Sequence, residues 1–238
     1  MRLLIVDSKI SEKCERSLLK EGYALLKLPA DKDLGEAVCS HPDTVLFYHK
    51  GELITTADYC DCAPYIFSDV REFCPNVKIH FTADRRGAKY PLDCILNALV
   101  VGDKIFCKSD SVSSAIIELA NRNGYKICHT NQGYPACCAL TFGNNAITAD
   151  RGLADAMTRH GVKVTLIREG GISLPPHKYG FIGGASGVVG RKVYFFGDIM
   201  SHPDGQLICN AIKEAGYTPI SLSDEPLRDF GGIISLQG

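Results

Sequence analysis

The chain has 238 residues, with 26 basic and 27 acidic side chains and a formal net charge of −1. That balance supplies no overall field to hold a nucleic-acid backbone, and 45% hydrophobic against 22% charged residues excludes a disordered chain. No uncharged apolar run approaches the roughly 20 residues of a membrane helix, and the apolar run before Asp7 is too short for a signal-peptide core.

In chain order the pattern repeats. Apolar RLLIVD ends at Asp7, and SEKCERSLLKEG has helical spacing and stops at Gly22. YALLKLP then reads as a strand. A fuller copy follows: a hairpin pattern in TVLFYHKGELITTAD, a helix in YCDCAPYIFSDVREFCPN and a strand in VKIHFT. The next two are ILNALVVGDKIFCKSD, SVSSAIIELANRNG, YKICHT and CALTFGNNAITAD, RGLADAMTRHG, VKVTLIR. The last is GASGVVGRKVYFFGD, a helix in GQLICNAIKEAG and YTPISL. Gly51, Gly102, Gly143 and Gly190 mark hairpin turns. Gly124, Gly161 and Gly216 mark helix ends, as Gly22 does. Asp7, Asp58, Asp110, Asp150 and Asp198 follow the second strand of each copy, where a carboxylate caps a helix N-terminus. Ser201-His202-Pro203-Asp204 reads as a capping box.

The first copy lacks a leading strand, and the chain ends in DFGGIISLQG, an apolar run without a hairpin partner. Joining the two removes an open sheet edge and predicts that Asp7 and Ser235 lie near each other. The expected fold is an α/β, five-unit α/β-propeller of ββαβ repeats closed by the C-terminal strand. It forms one domain, with units at about 1–30 plus 229–238, 41–82, 90–130, 133–168 and 178–222. Copies three and four also share Tyr-Pro followed by Cys, in Tyr90–Leu96 and Tyr134–Leu140.

Two other architectures were weighed. Gly184-Ala185-Ser186-Gly187-Val188-Val189-Gly190 has the spacing of a dinucleotide fingerprint but runs into a strand rather than opening a helix. Cys60-x-Cys62 with Cys74 and His80 offers four ligand types without the spacing of structural zinc. Most of the eleven cysteines fall in apolar segments, as buried thiols of a reduced, cytoplasmic protein do. No cofactor and no metal are expected.

Five such units with C-terminal closure resemble the pentein superfamily of guanidino-modifying enzymes. Those enzymes carry Gly-Gly, two residues and a nucleophilic Cys near the chain end. Gly231-Gly232-Ile233-Ile234-Ser235 keeps that frame with Ser235 in the place of the thiol. Glu169-Gly170-Gly171 is similar to a strand-opening motif of some members. The resemblance implies a site where the units converge, a thiolate attack on a guanidinium carbon, and a His with carboxylates that orient the substrate. A serine hydroxyl needs an adjacent base to do the same chemistry. His177, in Leu174-Pro175-Pro176-His177, reads as loop, and His129 as surface.

On this frame the central residues are Asp93 and Asn97, Tyr134 and Cys137, Tyr179 and Ser186, and Asp229 and Ser235. Asp93 and Asp229 suit a guanidinium or amine, with Asn97, Tyr134 and Ser186 as further binding groups. Ser235 and Cys137 are the candidate nucleophiles, and Cys138, at the repeat position of Cys94, reads as structural. The expected function is binding of a small cationic or amide ligand in a central channel without the family thiol. The alternatives are an active hydrolase or amidinotransferase using Ser235 or Cys137, and a non-enzymatic protein-interaction module. No membrane or nucleic-acid partner is expected.

Overall fold

A computed structural model describes residues 2–236. Residues 1, 237 and 238, assigned above to the first unit, lie outside the described residues. The chain forms five three-stranded sheets. The first joins β1 (Leu3–Asp7) to β2 (Ala24–Leu28) across α1 (Glu12–Lys20). After α2 (Pro42–Val45) the second holds β3 (Phe47–His49) and β4 (Glu52–Thr56), then α3 (Ala57–Cys62), α4 (Pro64–Phe73) and β5 (Lys78–Thr82). The third is β6 (Leu99–Val101), β7 (Lys104–Cys107), α5 (Ser114–Asn123) and β8 (Lys126–His129). After α6 (Pro135–Cys138), the fourth is β9 (Ala139–Phe142), β10 (Asn145–Thr148), α7 (Arg151–Arg159) and β11 (Lys163–Leu166). The fifth is β12 (Ser186–Val189), β13 (Lys192–Phe195), α8 (Gly205–Glu214) and β14 (Thr218–Ser221), and β15 (Ile234–Leu236) returns to the first sheet.

Each middle strand pairs antiparallel with a leading strand and parallel with the strand after its helix. The parallel pair needs the helical crossover, whereas the antiparallel pair needs only a short turn. In the first sheet β15 supplies the antiparallel partner of β1, with Leu4 opposite Ser235 and Ile5 opposite Ile234. The two strands therefore meet as expected, but Ser235 lies across from Leu4, three positions along the strand from Asp7.

Helix ends follow the glycines. Gly124 closes α5 in the left-handed region at φ 67°, where an L side chain is strained. A Cβ there would meet no atom within 4 Å, so the conformation alone sets the cost. Gly124→Ala should cost about 1 kcal/mol in urea unfolding, with Ile116 and Leu119 of α5 still buried. Helix starts differ from the expectation at three of the five aspartates. Ser11, Thr56 and Ser113 cap α1, α3 and α5 through their hydroxyls, while Asp150 and Asp198 do accept the capping N–H. Asp7 and Asp110 stand upstream of the capping hydroxyl, and Asp58 lies past it within the first turn of α3, so in each case the hydroxyl holds the cap position. Asp7 instead accepts from the Lys9 amide and the Ser40 hydroxyl. The capping box at 201–204 does not form either: the Asp204 carboxylate accepts from the Arg168 amide and guanidinium.

The core is five clusters, each shared by two sheets. Leu3 and Leu28 pack with Leu53 and Phe67, Phe47 and Ile54 with Ile105 and Ile116, and Val101 and Phe106 with Ala146 and Met157. Phe142 and Ile147 pack with Val193 and Phe195, and Tyr194 and Phe196 with Leu4 and Val6. Each sheet thus has both faces covered by apolar neighbours, at about 1.5–3 kcal/mol for each large side chain fully removed from water. No described helix is long and apolar enough to cross a membrane.

Candidate functional site

Three short turns before leading strands are built alike. His41-Pro42 opens α2, Tyr134-Pro135 opens α6, and Tyr90-Pro91 precedes a 3-10 turn at Leu92–Cys94. Proline suits the first position of a helical turn because its missing N–H has no partner to lose there. These turns carry Asp43, Cys137 and Asp93. Two glycine pairs let other segments approach them. A Cβ on Gly184 would lie 1.9 Å from Asp229 Oδ1, and one on Gly231, whose φ is +69°, would lie 2.3 Å from His41 Cβ.

The result is a cavity of about 550 Å³ whose lining includes His41, Asp93, Tyr134, Cys137, His177 and Asp229. A second cavity of about 390 Å³ shares His41 and Asp229 and adds Asp7, Lys9 and Arg228. The Cys137 thiol donates to Asp43 Oδ2 at 2.7 Å. Asn97 stands behind it, giving its amide N–H to the Asp43 carbonyl at 2.9 Å and to Cys137 Sγ at 3.4 Å, and accepting from the Ala136 amide. Tyr134 donates to Asp93 Oδ2 at 2.6 Å, leaving Asp93 Oδ1 buried without a partner. Asp229 accepts the amides of Phe181 and Gly231. His41 lies between two carboxylates, with Nε2 3.7 Å from Asp7 Oδ2 and Nδ1 3.8 Å from Asp229 Oδ1.

Burial dominates the electrostatics. It pushes the Asp43 carboxyl up to about 8, with the Asp229 charge adding to the rise and the Cys137 thiol opposing it. It raises Asp229 to about 6, against the two amides that favour its ionised form. Burial and the Lys9 charge pull His41 down to about 3, so its imidazole is neutral near pH 7. Burial, with the Asp43 and Asp229 charges, holds the Cys137 thiol well above its ordinary value. The site at rest holds a protonated Cys137 thiol beside Asp43 and Asp229, whose ionisation burial disfavours. A positive ligand would oppose the rises at Asp43, Asp229 and Cys137 and hold His41 neutral still more firmly.

The structure brings Asp93, Tyr134, Cys137, Tyr179 and Asp229 to one cavity and places Asn97 directly behind it. Ser186 is buried in β12 and donates to the Ile182 carbonyl at 2.6 Å. Ser235 sits in β15 opposite Leu4. Neither serine is among the residues lining the cavity. Cys138 packs in the apolar cluster with Val101 and Phe106. His177, read from sequence as loop, is exposed at the cavity wall. His41, whose sequence neighbours show no metal-ligand spacing, and Asp43 are not among the site residues expected from the sequence. A usable signal was present: the tetrapeptide Ser-His-Pro-Asp occurs at Ser40–Asp43 as well as at Ser201–Asp204, and His41-Pro42 holds the place of the Tyr-Pro pairs.

Solved structures with a similar fold include guanidino-modifying enzymes. DDAH from Pseudomonas aeruginosa, as a mutant complexed with citrulline, superposes with a TM-score of 0.59 at 12% identity, over 94% of this chain and 92% of that one. An amidinotransferase from Microseira wollei gives 0.58 at 12% identity, over 100% and 94%. The agmatine deiminase of C. jejuni gives 0.58 at 7% identity, over 93% and 87%. The protein therefore has the pentein fold. No curated protein matches its sequence. Residues 5–234 match a family model described only as a family of unknown function (DUF6873), and the chain belongs to that family.

Proposed function

We propose that the protein binds a small guanidinium or amine cation in the cavity between Asp93, Asp43 and Asp229, at the centre of a closed five-bladed α/β-propeller. The observation that carries this reading is the charge pattern. Asp93 and Asp229 line the cavity and Asp43 contacts Cys137 at its wall, Asp93 Oδ1 is buried without a partner, and among the described residues no Lys or Arg forms an ion pair with any of the three. Planar N–H donors of a guanidinium match such acceptors, and its charge lowers the cost of ionising Asp43 and Asp229. The packing of the fifth sheet against the first supports the closed ring. Calorimetric titration with agmatine and arginine should show binding that strengthens from pH 6 to pH 8, as Asp229 and Asp43 lose their protons. Asp93→Asn should weaken it about tenfold, the value of one hydrogen bond to a charged group. Absence of binding by both compounds across that pH range would end this reading.

A second reading has one observation in its favour, the contact of Cys137 with Asp43 inside the cavity. With a cation bound, Cys137 would pass its proton to Asp43 and bond its sulfur to the guanidinium carbon. Ammonia or an amine would leave carrying that proton, and water would then displace the sulfur to give a ureido product. In that case 2-chloroacetamidine should label Cys137 in the intact protein, agmatine should slow the labelling, and Cys137→Ala should abolish turnover of agmatine. Ser235→Ala should leave both unchanged.

A further inference from the structure

We propose that His41, Asp43 and Cys137 form a binding site for one divalent transition metal of the zinc class, with its open coordination position facing the cavity. One ligand atom from each of the three lies within 4.8 Å of those of the other two. Ligand atoms around tetrahedral zinc stand about 2.0–2.3 Å from the metal, and so about 3.3–3.8 Å from one another. Side-chain rotations of about 1 Å therefore suffice to close the set.

The donor chemistry is selective. A thiolate and an imidazole favour zinc or cobalt over magnesium or calcium, and one carboxylate is compatible with either group. Three protein ligands with a fourth position left to solvent is the pattern of a metal that also meets a ligand, rather than of a closed structural site. Asp229, 3.8 Å from His41 Nδ1, is placed to hydrogen-bond whatever occupies that position.

An independent observation comes from two buried atoms that find no hydrogen-bond partner, His41 Nδ1 and Asp7 Oδ2. Both residues are almost wholly removed from water, His41 at 1% and Asp7 at 0% exposure. Buried polar atoms of this kind are rare because each costs the lost hydration. One metal ion resolves both. Coordinated through Nδ1, His41 carries its proton on Nε2, which then donates to Asp7 Oδ2 across what is now a 3.7 Å gap. A carboxylate behind a ligating imidazole is the usual support of such ligands. Asp7 in turn is held by the Ser40 hydroxyl at 2.7 Å and the Lys9 amide at 2.7 Å. On binding, the metal replaces the thiol proton of Cys137, which goes to solvent, and separates the sulfur from Asp43 Oδ2.

The metal site shares Asp43 and Asp229 with the proposed cation site, but Asp93 and Tyr134 take no part in it, so the two can be separated by experiment. The test uses the full chain stripped with a chelator and titrated with cobalt(II). The expected result is one equivalent bound, a near-ultraviolet thiolate-to-cobalt charge-transfer band, and displacement of the band by zinc. Cys137→Ala should remove the band, and Cys62→Ala, at an exposed thiol elsewhere, should keep it. His41→Gln and Asp43→Asn should each weaken cobalt binding at least tenfold. Asp7→Asn should weaken it about 10- to 100-fold, as for other supports behind a ligand. Zinc should also protect Cys137 from alkylation in the unaltered protein, a readout that needs no variant to fold. Asp93→Asn should weaken agmatine about tenfold and leave cobalt binding unchanged. The proposal falls if the folded protein binds no cobalt through sulfur, if the band survives Cys137→Ala, or if zinc leaves alkylation of Cys137 unchanged. Agmatine binding without cobalt binding would overturn the metal site alone.

Discussion

Gly183→Ala should destabilise the protein by at least about 3 kcal/mol, the upper end of what overpacking costs. A Cβ at this position would lie 2.1 Å from the Ala136 carbonyl oxygen, 2.6 Å from that of Cys137 and 2.7 Å from that of Ala139. All three are backbone atoms, two in the turn that carries Cys137 and one in the first residue of β9, so no side-chain rotation relieves the clash. The turn itself is tied down, since the Cys137 carbonyl accepts the Gly184 amide at 3.0 Å and the Ala136 amide donates to Asn97. Displacing it moves the thiol away from Asp43. Urea unfolding measures the loss, with Gly35→Ala as the control, because a Cβ on Gly35 would meet nothing within 4 Å. Equal stability of Gly183→Ala and the parent would show that the 180–184 segment does not press on that turn.

The second large effect is on pH. Lowering the pH from 8 to 6.5 should stabilise the fold by about 1.5–2 kcal/mol. The sign follows from Asp43, whose carboxyl titrates near 8 in the folded chain and at 3.8 in the unfolded one. Between those values the folded state holds a proton that the unfolded state has released, so stability rises as pH falls. The opposite contribution of His41 sets in as pH falls through about 7 and reaches its full slope below about 5.5. Its imidazole stays neutral down to about 3 when folded but takes a proton at its ordinary value of 6.5 when unfolded. The profile therefore flattens between about 6.5 and 6, and Asp229, raised to about 6, restores the rise in stability below that. Denaturant midpoints at several pH values read this directly. Asp43→Asn should flatten the upper part of the profile. A parent protein whose stability falls from pH 8 to pH 6.5 would mean that Asp43 is ionised in the fold.

Cation binding has the reverse dependence, because it needs the ionised carboxylates. Opposed pH trends for stability and for agmatine affinity would therefore report the same two groups by separate measurements. Zinc binding, which displaces the protons of Cys137 and Asp43, should also strengthen with pH.

Much of the architecture was legible from local rules. Hairpin glycines, helix-ending glycines and apolar periodicity act over a few residues, and Gly51, Gly102, Gly143 and Gly190 all take positive φ at the expected turns. The misread aspartates are also local, since capping depends on which side chain stands nearest the first free amides, and Ser11 and Ser113 are nearer than Asp7 and Asp110. The site was half legible. Asp93, Tyr134, Cys137 and Asp229 could be placed because they sit at matching points of a repeat. His41 was not recognised because its partners are distant in the chain, and Asp43 because its contact with Cys137 spans 94 positions. Asp7 reads as a cap until the Ser40 hydroxyl, 33 positions away, is brought to it.

The sequence by itself determined five repeats, their strands and helices, and the glycine pairs that permit close approach, because these depend on short-range sterics and periodicity. Only the tertiary structure decided which side chains share the centre. Convergence of turns from separate units sets their separations, and burial at that convergence sets their charge. It left Ser235 in a strand opposite Leu4 and put Cys137 in the cavity, against Asp43 and near His41.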